Sequence, residues 1–182
     1  FFVGSVRGLE PRQPPTEGLD GRQLGNIYHH IMEALYETVG RGADLPALLE
    51  ALPTVAEKIL DEAPRREQFR ETAWWAQTRQ EILENVRRSI AAIESLDDGF
   101  AFHEAERTFG IPGREGRPLI VRDGAGDSFG VRGFIDRVDR DGADHVRVVD
   151  YKTAGPWNFR NANVARGEKL QLPLYAMAAQ EA

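Results

Sequence analysis

Residues 133–152 read GFIDRVDRDGADHVRVVDYK, and the fold is decided there. Two β-like runs, 131–140 and 145–152, flank the turn Asp141-Gly142-Ala143-Asp144. An Asp-Gly step between two such runs predicts a hairpin. Side chains alternate along a strand, so Asp150 and Lys152 share a face, and Asp136 comes from the neighbouring strand. Val148 and Val149 run straight into Asp150, which sets these charges at the end of a segment that should be buried. Carboxylates of this kind suit a hard divalent cation such as Mg²⁺, which keeps positions for water and phosphate. Such an ion polarises a phosphoryl oxygen and acidifies water, while a lysine orients that water or neutralises charge developing on the phosphate. The alternative is a surface hairpin carrying a solvated Asp/Lys pair. Lys152 is one of three lysines among 23 basic residues, which favours a use for its compact charge.

The totals narrow the field. A length of 182 residues suits one domain with a real core, and 41% hydrophobic with 29% charged residues is ordinary for a globular chain. No apolar run reaches the length of a membrane span and no signal peptide is visible. Zero cysteines exclude disulfides and thiolate metal sites within these residues and fit a reducing compartment, so the cytoplasm is the expected location. A net charge of −6 argues against a broad non-specific DNA surface, though not against a metal-binding cleft that meets phosphates locally. The chain opens on Phe1-Phe2 without an initiator methionine, as a segment of a longer polypeptide would.

Outward from the hairpin, residues 1–23 read as an arm: an apolar FFVGSV, then a proline-containing link across the surface. Leu24, Ile27, Ile31, Leu35 and Val39 form a helical stripe over 24–39, widened by Met32 and Tyr36. On the helical wheel His29 lies at the edge of this arc and His30 well away from it. Two more helices are expected, over 44–61 and over 64–96, the second started by Pro64. Their interleaved arginines and glutamates read as a salt-bridged solvated face, and Trp74 and Trp75 as packing residues or base-stacking ones. A strand over 100–109 carries Glu104 and Glu106. After Lys152 the loop 153–166 holds Trp157, Phe159, Arg160 and Arg166, placed either to guide a single strand or to anchor the loop. A last helix over 168–179 puts Gln171 and Tyr175, four apart, on one face.

Three segments in this order, G-F-I-D-R-V-D, V-V-D-Y-K-T and L-Q-L-P-L-Y-A, resemble the RecB/AddB-type nuclease domain of the PD-(D/E)xK superfamily. The resemblance implies an α/β fold of restriction-endonuclease type, with a mixed central sheet flanked by helices and a helical insertion before the sheet. Its parts would be the arm 1–23, a helical part 24–98, and the catalytic sheet with the Gln/Tyr helix at 99–182. A further strand normally follows that helix, so the segment is expected to be truncated at its C-terminus. The resemblance also implies a Mg²⁺- or Mn²⁺-dependent deoxyribonuclease that acts in DNA repair or recombination, tied to a helicase domain or subunit. A nuclease-fold module that binds DNA ends or a helicase but has lost catalysis is the alternative. L-G-N-I-Y-H-H is similar to the family's G-x-x-x-H helix, which makes His29 a metal ligand. Asp136, Asp150 and the Tyr151 carbonyl complete the implied ligand set, and Lys152 joins the two aspartates as catalytic. Gln171 and Tyr175 match Q-x-x-x-Y, whose pair contacts DNA or supports the lysine. Glu106, three residues before Phe109, matches a family glutamate that is either an accessory metal contact or structural. Some members hold an iron–sulfur cluster through flanking cysteines; here such a cluster is absent or lies beyond both ends.

Overall fold

The computed structural model describes residues 16–96, 98–152, 164, 166–167 and 169–181. The first helix, α1, spans Gly21–Val39 and starts three residues before the expected Leu24. A capping box sets this start: Asp20 accepts from the Gln23 backbone, and the Gln23 side chain accepts from Asp20. Helix α2, Leu45–Arg66, is capped by Asp44. It lies against α1 through Leu48, Leu52, Ala56, Leu60 and Ala63, all buried.

Pro64 does not begin the next helix. It sits in the last turn of α2, which continues through both Pro53 and Pro64. Each internal proline removes a helical hydrogen bond, and the continuous buried stripe outweighs that loss. The chain then extends through β2, Phe69–Arg70, which pairs in parallel with β1, Thr16–Glu17. Phe69 enters the helical core, and α3 starts only at Trp75, running to Glu94. The adjacent tryptophans divide: Trp75 is buried and Trp74 is exposed.

The central sheet has the order β3-β6-β7, from Ala101–Phe109, Gly133–Arg140 and Val146–Val149, and each pairing is antiparallel. Between β3 and β6, Leu119–Arg122 (β4) and Ser128–Val131 (β5) form a separate hairpin. The β6–β7 turn is held by the Asp141 side chain, which accepts from Ala143 and His145 backbone N–H groups. Asp144, not Gly142, takes the left-handed conformation, at φ 65°. Helix α4 is Gln171–Gln180, beginning later than the expected 168. The aromatic and arginine positions 157, 159 and 160, and the apolar start of the N-terminal arm, lie outside the described residues.

Two apolar clusters flank the sheet. Helices α1–α3 bury one together with Phe102, while Val138, Val146 and Val148 join Leu174 and Ala178 of α4 in the other. Alternation along β6 sends Arg137 and Asp139 to the face opposite Val138. On that face the Arg137 guanidinium lies 4.0 Å from the Tyr36 ring centroid. Asp139, fully buried, receives Arg137 Nε at 2.5 Å on one oxygen and Arg147 Nη2 at 2.7 Å on the other. Glu94 lies 3.5 Å from Arg137 and accepts the Tyr36 hydroxyl at 2.8 Å. Truncating one member of a buried ionic set leaves an uncompensated charge, which costs about 3–5 kcal/mol. Asp139→Ala is therefore expected to lose that much in urea unfolding, whereas Asp127→Ala, in the exposed β4–β5 turn, should change stability by less than about 1 kcal/mol.

Candidate functional site

The candidate site residues gather where β7 ends beside the middle of β6, against α1 and α4. Helix α1 supplies His29. Its Nε2 lies 2.6 Å from Asp136 Oδ2, and its Nδ1 lies 3.3 Å from Glu106 Oε1. His29, Glu106 and Asp136 can each offer a ligand atom within 4.8 Å of the others. His30 points elsewhere, toward Glu33 and Glu67 at 3.5 and 3.9 Å. Asp136 is buried and also accepts the Tyr151 backbone N–H at 2.8 Å. The Tyr151 ring stands edge-on to the His29 ring, with centroids 5.7 Å apart, and burial pushes its phenol pKa up.

Glu106 arrives by an unusual backbone. It adopts φ 47° inside β3, a left-handed conformation that a non-glycine residue rarely takes, just beyond an irregularity in pairing between Phe102 and Glu104. Such strain persists only where the surroundings enforce it, and here it accompanies a carboxylate held against His29.

Asp150 lies one step beyond the last β6–β7 pair, Arg137↔Val149, as does Asp136 on the facing strand. Its side chain is nearly buried, and its contacts are to a second set of groups. Asp150 Oδ1 takes Lys152 Nζ at 2.8 Å and Gln171 Nε2 at 3.2 Å. Gln171 also meets the Tyr175 hydroxyl at 3.2 Å, and Tyr175 packs edge-on against Phe109. Two sets therefore stand side by side: His29, Glu106 and Asp136 in one, Asp150, Lys152, Gln171 and Tyr175 in the other. Tyr151 links them, since its N–H binds Asp136 and it lies between Asp150 and Lys152 in sequence.

The residue that sequence reading passes over is Arg137. It follows Asp136 directly, is 1% exposed, and fixes the strand from the opposite face. The signal for it was present in D-R-V-D, where Arg137 and Asp139 share a face that should be apolar.

A profile of the PD-(D/E)XK nuclease superfamily matches residues 1–182. The chain belongs to this superfamily. Its α/β architecture, with helices on both sides of an antiparallel sheet, fits the restriction-endonuclease-like fold of that family. Among relatives, a subunit of the ATP-dependent helicase/deoxyribonuclease of Moorella thermoacetica is 28% identical over 192 residues, covering 100% of this chain and 16% of the relative. Proteins of the same name from Streptococcus pneumoniae and Latilactobacillus sakei are 30% and 27% identical, covering 98% and 85% of this chain. The chain thus spans about a sixth of the length of the curated relatives it matches. Among the described residues no helix is long and apolar enough to cross a membrane.

The hydrogen bonds of His29 give this group a pH signature. The hydrogen bond to Asp136, reinforced by Glu106 and opposed by partial burial, pushes the His29 pKa from 6.5 up to about 10. A raised folded-state pKa stabilises the fold fully below 6.5, and that contribution disappears as pH rises through about 10. In EDTA the melting temperature is expected to fall between pH 7 and 10. His29→Gln, which cannot titrate, should flatten the decline. Calorimetry across that range checks this, with an expected contribution on the order of 2–4 kcal/mol.

Proposed function

We propose that this chain is the nuclease module of a helicase–nuclease and hydrolyses DNA phosphodiester bonds with a divalent metal. The observation that carries the reading is the convergence of His29, Glu106 and Asp136 beside the Asp150–Lys152 pair. The His29 imidazole with the Asp136 and Asp150 carboxylates makes a donor set with the chemistry of a Mg²⁺ or Mn²⁺ site, the imidazole suiting Mn²⁺ well. His29 and Asp136 are the residues to hold the ion, with Asp150 and the Tyr151 carbonyl completing the set. A bound ion supplies Lewis acidity to a phosphoryl oxygen and lowers the pKa of the attacking water.

The protein's own groups do the rest. Glu106 accepts the Nδ1 proton of His29, which fixes the tautomer and leaves Nε2 toward Asp136; such outer partners orient ligating histidines. Asp150 holds the Lys152 ammonium, which orients the water and offsets charge building on the pentacovalent phosphate. Gln171 and Tyr175 brace Asp150 from α4 and are the residues that would contact the DNA backbone. The helicase partner is inferred from the relatives' name and from the small share of their length that this chain represents. Such a protein acts on DNA in the cytoplasm, in end processing, repair or recombination. A rival reading, a module that binds DNA ends without hydrolysis, is favoured by one observation. Asp150 pairs with Lys152 and Gln171 rather than joining the His29 group.

Linear and closed-circular DNA, single- and double-stranded, incubated with Mg²⁺, Mn²⁺ or EDTA, tests the choice. Cleavage is expected with either metal and not with EDTA, and Lys152→Ala should lower the rate about 10²–10³-fold. Metal-independent cleavage, or equal rates in the variant, would overturn the assignment; no cleavage by wild type would favour the binding module. Isothermal titration gives a second check. Mn²⁺ should bind wild type, and binding should be lost in Asp136→Ala.

A further inference from the structure

Between α1 and α3, beside the proposed catalytic lysine, lies a cavity of about 510 Å³. Met32 and Val86 form a buried apolar part of its wall, and Lys152, Tyr28, Asn85, Arg88 and Ser89 are among the other residues that line it. Its charge is out of character for the chain. The whole sequence carries −6, yet among the described residues this lining contains two cations, Arg88 and Lys152, and no carboxylate. A lining that joins a buried apolar wall to cations matches a flat aromatic group attached to a phosphate.

The polar groups on the wall are specific as well. Asn85 Nδ2 donates to the Tyr28 hydroxyl oxygen at 2.9 Å. That bond leaves Asn85 with an amide oxygen as acceptor and Tyr28 with its hydroxyl proton as donor, both on residues that line the cavity. Adjacent donor and acceptor positions are what the edge of a nucleobase presents. Among the described residues Arg88 is tethered by Glu84 on its own helix, at 2.9 Å, and its side chain is 72% exposed, so it can meet a phosphate. A volume of this size accommodates one nucleoside and lies within the range of ligand cavities.

We propose that this cavity is a subsite for one unpaired nucleotide of the DNA strand, adjacent to the phosphate under attack. The inference rests on the nuclease reading and adds to it a place where the strand is gripped by a base. The base enters between α1 and α3 against Met32 and Val86, its edge meets Asn85 and Tyr28, Arg88 takes the phosphate on one side, and the phosphate on the other side is the one that Lys152 faces. A base still paired in a duplex cannot enter, so the strand must be unpaired at this position. A free mononucleotide offers the same chemistry, and a competition arm separates the two sources.

The experiment measures fluorescence anisotropy of labelled octathymidylate in EDTA, beside octamers in which one base at a time is removed to leave an abasic sugar. Wild type is expected to lose about tenfold in affinity when the base is missing at one position, and little at the others. Ser89→Trp, on an exposed position of the wall, fills the cavity; it and Asn85→Ala should bind the intact and abasic octamers equally. Equal affinity of wild type for every octamer would overturn the subsite, as would discrimination that survives Ser89→Trp. Competition by thymidine monophosphate below the octamer's own dissociation constant would show that a free nucleotide is the occupant and would overturn the strand assignment. Cleavage of the intact octamer by wild type with Mn²⁺ is measured alongside. Cleavage without base discrimination removes the subsite and leaves the nuclease, whereas neither binding nor cleavage removes both.

Discussion

The Asp139 carboxylate is the constraint on which the sheet depends. It is fully buried, each oxygen is engaged by a different arginine, and both arginines lie on the face that meets the helical layer. A buried carboxylate without partners would be costly by several kcal/mol, and two guanidiniums supply the charge and the hydrogen bonds it needs. The two arginines come from different strands, Arg137 on β6 and Arg147 on β7, so the carboxylate ties the strands side chain to side chain as well as through the backbone. Arg147 also reaches Asp98, in the link before β3. Arg137 in turn lies on Tyr36 and beside Glu94, joining the sheet to α1 and α3.

This seam positions the site because Asp136 and Arg137 are neighbours on one strand. Fixing the arginine on one face fixes the carboxylate on the other, since alternation leaves the strand little freedom to rotate one without the other. Helix α1 is held twice, by Tyr36 over Arg137 and by His29 against Asp136. Those two residues are seven apart, two helical turns, so they lie on one face of α1. A helix anchored at both points sets the imidazole rigidly against the carboxylates, a condition that chemistry at a bound phosphate needs.

Much of this was legible in the sequence, for stated physical reasons. The Asp-Gly step and the two β-like runs gave the β6–β7 hairpin, and the 3- and 4-residue spacing of Leu24 to Val39 gave α1 with His29 at its edge. Other features depend on packing that no local pattern encodes. Pro64 looks like a helix start because proline suits a first turn, but the buried stripe Leu48, Leu52, Ala56, Leu60 and Ala63 carries α2 past it. Arg137 and Asp139 share a strand face that is buried, yet charged residues seldom lie in a core, and only their mutual pairing makes burial tolerable. Glu106 is unreadable in a different way. Its residue type gives no hint of a left-handed backbone, and only the irregular β3 pairing shows how its carboxylate reaches His29.

The second group of side chains is braced through rings, and this explains a glycine. Tyr175 meets Gln171, Gln171 meets Asp150, and Asp150 meets Lys152, so the lysine's position depends on where the α4 tyrosine sits. Tyr175 is set by its edge-on contact with Phe109, at the end of β3. Gly133 opens β6 directly beneath both rings. A Cβ there would lie 3.1 Å from Phe109 and 3.3 Å from Tyr175, closer than ordinary van der Waals contact. The glycine's role is therefore close approach rather than an unusual backbone angle, since Gly133 is not among the left-handed glycines. A side chain at this position would displace the tyrosine and, through Gln171 and Asp150, the ammonium of Lys152. The same hairpin thus carries the acidic residues in its strands and, in the glycine that begins it, the space that lets α4 hold the lysine.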